Sequence, residues 1–206
     1  MFQARLTYST GFRAPQAYDE DLHVTAVGGE GVLIKLAEGL REERSNSFSG
    51  SVDYTATFGH WQANVLVEGF YTGLNNVFVL EDIGHDANGY AIKERRNGSG
   101  ARVYGANLDA KIAHGKEAVL SLGFTAQRSR YNQPEEWSEG QFTSRMMRTP
   151  DYYGYFTFTS APVKNFDFSL SGTYTGEMIV PHYAGYIAED QLETTPHFFD
   201  LNLKLN

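Results

Sequence analysis

Residues Phe2–Leu22, FQARLTYSTGFRAPQAYDEDL, decide how the rest of the chain is read. Phe2, Ala4, Leu6 and Tyr8 fall on one side of an extended backbone, and Gln3, Arg5, Thr7 and Ser9 fall on the other. Alternation with a period of two describes a β-strand with one apolar and one polar face. The strand is expected to give way at Gly11-Phe12-Arg13-Ala14-Pro15. Glycine permits a turn there, and proline ends a ladder because it lacks an N–H. A long polar segment then reaches about Glu43, with Val32–Leu36 as the one candidate strand inside it.

The same alternation recurs along the chain. In Ser45–Phe58, Phe48, Val52, Tyr54 and Phe58 oppose Ser47, Ser51, Asp53 and Thr57. Trp61–Leu74 continues after the short turn Gly59-His60, although Leu66, Phe70 and Leu74 interrupt its polar face. Ala101–Ala113 and Ala118–Tyr131 follow, separated by His114-Gly115-Lys116-Glu117. Asp151–Ser160 carries aromatics on both faces, so its orientation stays open. Pro162 marks a tight turn over Ala161–Asn165, and Phe166–Thr175 and Phe198–Leu205 complete the set.

The connections between these strands carry the topology. Long links follow strands one, three, five and seven, and short links follow two, four and six. A membrane barrel with tight turns on one side and long loops on the other produces this rhythm. Greek-key sandwiches have no reason to. Strands of about ten to fourteen residues also suit tilted membrane-crossing strands better than the usual five or six of soluble sheets. Phe58, Trp61 and Phe166 flank short turns, where one aromatic girdle would lie, and Tyr71, Tyr104, Tyr131 and Tyr174 suit the other. If the apolar face meets lipid, Asp53, Glu68, Asp109, Lys111, Asp167 and Asp200 must point to the interior, because charge in hydrocarbon is costly. In a soluble sandwich the apolar face would be inside instead, and periodicity alone does not choose.

Composition narrows the classes. Of 206 residues, 13 are Tyr, 14 Phe and 21 Gly, an enrichment that favours an all-β chain with many turns. Mean hydropathy is −0.40, and no apolar run is long enough for a transmembrane helix. Alternating strands dilute hydropathy, so this does not argue against a barrel. There is no cysteine, hence no disulfide and no thiolate metal site. A net charge of −8 argues against a nucleic-acid partner.

The run Tyr8-Ser9-Thr10-Gly11-Phe12-Arg13-Ala14-Pro15 resembles the "S-x-G-F-R-A-P" run in late barrel strands of TonB-dependent outer-membrane receptors. Arg148-Thr149-Pro150 and Phe198-Phe199-Asp200-Leu201-Asn202 are similar to that family as well. The resemblance implies a barrel of about 22 strands closed around an N-terminal plug. It implies uptake of an iron chelate or siderophore, cobalamin or a glycan across the outer membrane, driven by the inner-membrane TonB complex. Plug, TonB box, signal peptide and terminal aromatic do not appear in residues 1–206. The chain is therefore expected to be a fragment of an antiparallel up-and-down transmembrane β-barrel, all-β, with about eight meander strands. Contacts with the TonB complex and the plug would belong to the parent protein, and contacts with membrane lipid or lipopolysaccharide to the barrel wall.

No enzyme signal and no cofactor is expected. Asp19, Glu20, Asp21 and His23 read as a solvated loop rather than a metal site, and Asp86-Ala87-Asn88-Gly89 as a turn without the later glutamate of a calcium loop. Glu135 and Glu136 are adjacent and point apart, which does not suit paired-carboxylate hydrolysis. Gly28-Gly29-Glu30-Gly31 precedes no helical pattern that would cradle a phosphate. Ligand recognition is expected in the long loops, at Tyr90, Arg95, Arg96, Trp137, Arg145 and Tyr183, with Arg13 anchoring a loop base. Arginines suit anionic ligands and aromatics suit flat or sugar surfaces. Two rivals remain at this point. A self-contained eight-strand outer-membrane barrel with a structural or adhesive role requires Phe2–Ser9 to pair with Phe198–Leu205. A soluble carbohydrate-binding sandwich requires the Phe and Leu faces to pack on each other.

Overall fold

The computed structural model describes residues 1–15, 32–138, 140–185 and 187–206. Asp19, Glu20, Asp21, His23 and the Gly28–Gly31 run lie outside the described residues. The strands are, in order, β1 (Phe2–Arg13), β2 (Val32–Leu36), β3 (Glu43–Phe58), β4 (Trp61–Asn75), β5 (Phe78–His85), β6 (Ala91–Asn97) and β7 (Ala101–His114). They continue as β8 (Ala118–Ser138), β9 (Gln141–Arg145), β10 (Tyr152–Val163), β11 (Phe166–Thr175), β12 (Ile179–His182), β13 (Gln191–Thr194) and β14 (Phe198–Leu205). No helix is present among the described residues.

Eight long strands form one antiparallel meander in the order β1-β3-β4-β7-β8-β10-β11-β14, with β9 added beside β8. These are the eight strands that the alternation predicts. Their register aligns like with like. Phe2, Tyr54, Val65, Ala110, Leu122, Phe156, Gly172 and Leu201 stand in one cross-strand row. One residue along, Gln3, Asp53, Leu66, Asp109, Gly123, Tyr155, Thr173 and Asp200 form a row on the opposite face. A slip of one residue would move every strand's apolar set to the wrong side, so this register is strongly specified.

Nothing among the described residues packs on the apolar face. Leu6 is 92% exposed and Leu203 63%, and among the described residues the only buried apolar side chains are Ala101 and Ile179. The sandwich reading fails on this point, since its two apolar faces would have to bury each other. The closed eight-strand reading fails too: β1 pairs with β3 and β14 with β11, not with each other, so the sheet is an open segment. On the polar face the side chains bond across strands. Asn64 donates to Asp53 (2.6 Å), Asn107 to Glu68 (3.0 Å), Thr125 to Asn107 (2.9 Å) and Tyr155 to Asp109 (3.3 Å). The orientation of β10 is resolved by pairing: Tyr152, Phe156 and Phe158 join the apolar face, Tyr153 and Tyr155 the polar one.

Tight turns close one end of the sheet. Gly59 and Gly115 hold positive φ there (62° and 51°), as a short hairpin loop demands. The turn after β10 is only Lys164-Asn165, with Asn165 at φ 62°; Pro162 instead sits in a register shift between Ser160 and Val163, where its missing N–H breaks no ladder. Trp61, Phe58 and Phe166 lie at this end as expected. At the other end Tyr8, Phe48, Tyr71 and Tyr104 form a cross-strand aromatic row on the apolar face. Tyr131 does not join it. Paired with Ala101 it faces the polar side, because it is odd-numbered on a strand whose apolar residues are even. Gly11 is also not a turn: it pairs with Ser45 inside β1, and a Cβ there would come within 2.8 Å of the Ser45 hydroxyl oxygen. Its role is close approach.

The long links are more structured than their turn-rich composition suggests. β2, β6 and β5 form a three-stranded sheet in which β2 and β6 run parallel, and β12 pairs with β13.

Candidate ligand groove between the long connections

Three of the long connections converge on a groove of about 570 Å³ at the loop end of the sheet. The β5–β6 hairpin supplies Glu81, Asp82, His85, Lys93 and Arg96. The far end of β8 supplies Glu135, Glu136 and Trp137, and the segment after β12 supplies Tyr183 and Asp190. The Trp137 and Tyr183 rings meet at 6.1 Å with a 51° tilt. Arg96 pairs with Glu81 at 2.5 Å.

The groove's walls are stitched together by side chains. Ser138 donates its hydroxyl to Asp190, Ala184 N–H donates to the same carboxylate (2.6 Å), and Gln141 donates to the Asp190 carbonyl (2.6 Å). These hydrogen bonds, the Ser138 one foremost, hold the Asp190 carboxyl below its usual pKa. Glu135 accepts from Ser99 N–H (2.8 Å), joining the second connection to the third. Asn97 donates to the carbonyls of Arg41 and Asn76 (2.9 Å each), joining the first to the second. Lys93 makes no hydrogen bond or ion pair among the described residues, whereas every groove carboxylate accepts at least one bond.

The structure brings Arg96, Trp137 and Tyr183 together and sends the other sequence candidates elsewhere. Arg95 is 2% exposed, on the opposite side of β6 from Arg96, because neighbours on a strand point apart. They cannot act as an arginine pair. Tyr90 is exposed at the hairpin tip, where Asp86 accepts from the N–H groups of Asn88 and Tyr90 (2.8 Å each). That geometry makes Asp86–Tyr90 a turn, and the backbone bonds hold the Asp86 carboxyl below its ordinary value. Arg145 lies beside Asp151 (3.8 Å). Within the Gly11-Phe12-Arg13-Ala14-Pro15 run, Arg13 pairs with Glu43 (2.6 Å) and lies over Phe78 (4.9 Å), at the base of the β5–β6 connection. Glu81, Lys93 and Asp190 were not legible as groove residues, since only the pairing of distant segments assembles them. Among the described residues no cluster of His, Cys, Asp and Glu could hold a metal ion.

A family model described as "TonB dependent receptor-like, beta-barrel" matches residues 1–206. Solved structures agree in fold. The siderophore receptor PirA from Acinetobacter baumannii superposes with a TM-score of 0.68 at 13% identity, over 99% of this chain and 32% of its own. The FrpB iron transporter from Neisseria meningitidis (F3-3 variant) gives 0.64 at 14%, over 98% and 29%. The ferric-catecholate import receptor Fiu from K12 E. coli gives 0.64 at 12%, over 99% and 26%. The chain thus spans roughly a third or less of the structures it resembles. No curated protein sequence matches it.

Proposed function

The chain belongs to the TonB-dependent receptor β-barrel family, and on that premise we propose that it forms wall and loops of an outer-membrane importer of a scarce nutrient. The observation that carries this is the eight-strand sheet with one face apolar and bare from the tight turns up to the aromatic row, the other polar and hydrogen-bonded, and the described parts of the long connections at one end. A bare face of Phe, Leu, Val and Tyr is stable against hydrocarbon and unfavourable against water. In this reading the polar face lines the lumen, and energy comes from the inner-membrane TonB complex acting on a plug, through the parent protein.

The ligand we favour is an iron chelate, the cargo class of the transporters named above; cobalamin and glycans are the competing classes. The groove refines the class. Five carboxylates against Lys93 and Arg96 disfavour a bare polyanion, while Trp137 and Tyr183 offer ring faces. A chelate of low net charge fits better than a triply anionic ferric catecholate. The protein contains two tryptophans, and Trp61 lies at the opposite end, so a ferric ligand in the groove quenches Trp137 selectively. Titrating the detergent-solubilised protein with a neutral ferric hydroxamate should give saturable quenching that Trp137→Phe removes. Saturable quenching by cobalamin or an oligosaccharide alone would replace the ligand class. No saturation with any of them would sink the groove as a binding site.

A further inference from the structure

We infer that an arginine row on the apolar side of the loop end is a binding site for the phosphate of an anionic lipid headgroup. The inference rests on the membrane placement proposed above. Arg102 on β7 is registered directly against Arg130 on β8, and Arg130 against Arg145 on β9. Three like charges in register across neighbouring strands are mutually destabilising, and a sheet without need of them would not be expected to carry them. Arg128 stands two residues from Arg130 on the same face.

Only one carboxylate among the described residues pairs with this set. Asp151 lies 3.1 Å from Arg128, 3.7 Å from Arg130 and 3.8 Å from Arg145. Arg102 is exposed and makes no hydrogen bond or ion pair among the described residues. Four guanidiniums against one carboxylate leave a surplus of three positive charges, in a chain whose net charge is −8. The patch is therefore a local inversion of the protein's charge.

Its height on the sheet selects the partner. Arg102 and Arg130 are even-numbered on strands whose even positions face the apolar side, two residues beyond Tyr104 and the aromatic row. Arg128 itself caps that row, its guanidinium 5.3 Å from the Tyr152 ring centre and bonded to the Tyr152 hydroxyl (3.1 Å). Aromatic rows mark the boundary between hydrocarbon and headgroups. Cations immediately beyond that boundary, on the lipid side, stand at phosphate depth. Guanidinium suits phosphate through paired, charge-assisted hydrogen bonds.

The test uses the full chain in phosphatidylcholine bilayers, with trace spin-labelled phosphatidic acid or spin-labelled phosphatidylcholine. Electron spin resonance measures how strongly each lipid is held at the protein surface. Phosphatidic acid should be preferred, and each arginine removed should weaken that preference by about fivefold. Arg102→Gln is the first variant because it breaks no ion pair; a combined R102K/R130K/R145K variant should retain part of the preference. Equal retention of both lipids by the wild type, or a preference unchanged in Arg102→Gln, overturns the site while leaving membrane placement intact. Displacement of the lipid by inorganic phosphate at matched ionic strength would assign the site to the free ion and overturn the lipid proposal. Absence of any surface-held lipid would remove the membrane placement itself, and the site with it.

Discussion

Replacing Leu108 with arginine separates lipid from water as the medium around the apolar face. β7 is 14 residues long, and Leu108 lies near its centre, opposite Val67 on one side and Phe124 on the other. At about 3.3 Å per residue the strand runs ~43 Å. Tilted by about 40°, it rises ~33 Å and overspans an apolar band ~25 Å tall. Leu108 therefore falls close to the midplane, where arginine costs roughly 2–4 kcal/mol. In water the same substitution at a side chain that is 46% exposed changes stability by no more than about 0.5 kcal/mol. Tyr104, four residues nearer the loop end, is the depth control, with an expected cost of about 0–1 kcal/mol for arginine. Denaturant unfolding from phosphatidylcholine bilayers, followed by intrinsic fluorescence, reads both. A Leu108→Arg protein as stable as the wild type, or a Tyr104→Arg protein equally destabilised, would mean that this face does not cross hydrocarbon.

Other expectations rest on individual contacts. A Cβ at Gly105 would meet the Ala126 carbonyl oxygen at 2.2 Å and Gln127 Cα at 2.8 Å, both backbone, so Gly105→Ala should loosen the β7–β8 pairing by about 1–3 kcal/mol. Gly69→Ala, with nothing within 4 Å, is its control, and faster amide exchange around Gln127 in the first variant alone is the readout. Glu43 holds both Arg13 (2.6 Å) and Phe78 N–H (2.5 Å). Glu43→Ala should therefore expose residues 76–100 to limited proteolysis while the sheet's circular dichroism stays unchanged. Asp190 has a depressed carboxyl pKa, so its clamp contributes fully above the ordinary aspartate value and is lost as pH falls through the lowered one. Acid should thus release the Trp137–Tyr183 contact, seen as a change in Trp137 emission, and Asp190→Asn should show that change already at neutral pH.

Where side chains alternate over ten or more residues, the sequence states the structure almost directly. Phe166–Thr175 and Ser45–Phe58 needed only a period of two, and the short turns needed only Gly59 and Gly115. The loop strands carried no such signal. Phe78–His85 reads FVLEDIGH without alternation, and β2 meets β6 in parallel across some sixty residues, a contact that no local pattern encodes. β8 extends past Asn132 through Pro134 because a register shift between Arg130 and Glu135 spares the ladder a missing donor. Glycine misled at Gly11, where the chain uses its lack of a side chain rather than its freedom of φ. Of the six ligand candidates, residue type alone suggested all, but only strand parity and loop convergence sort Arg96, Trp137 and Tyr183 from Arg95, Tyr90 and Arg145.

The proposed membrane placement requires the exposed apolar face to be a lipid face. Spin labels placed singly along Ala101–His114, with collision rates measured for oxygen and for a water-soluble nickel chelate in bilayers, test it most directly. A lipid face gives two antiphase patterns of period two: oxygen favoured at residues 104, 106, 108, 110 and 112, the nickel reagent at 103, 105, 107, 109 and 111. Nickel access at both sets, or oxygen preference at neither, would contradict it.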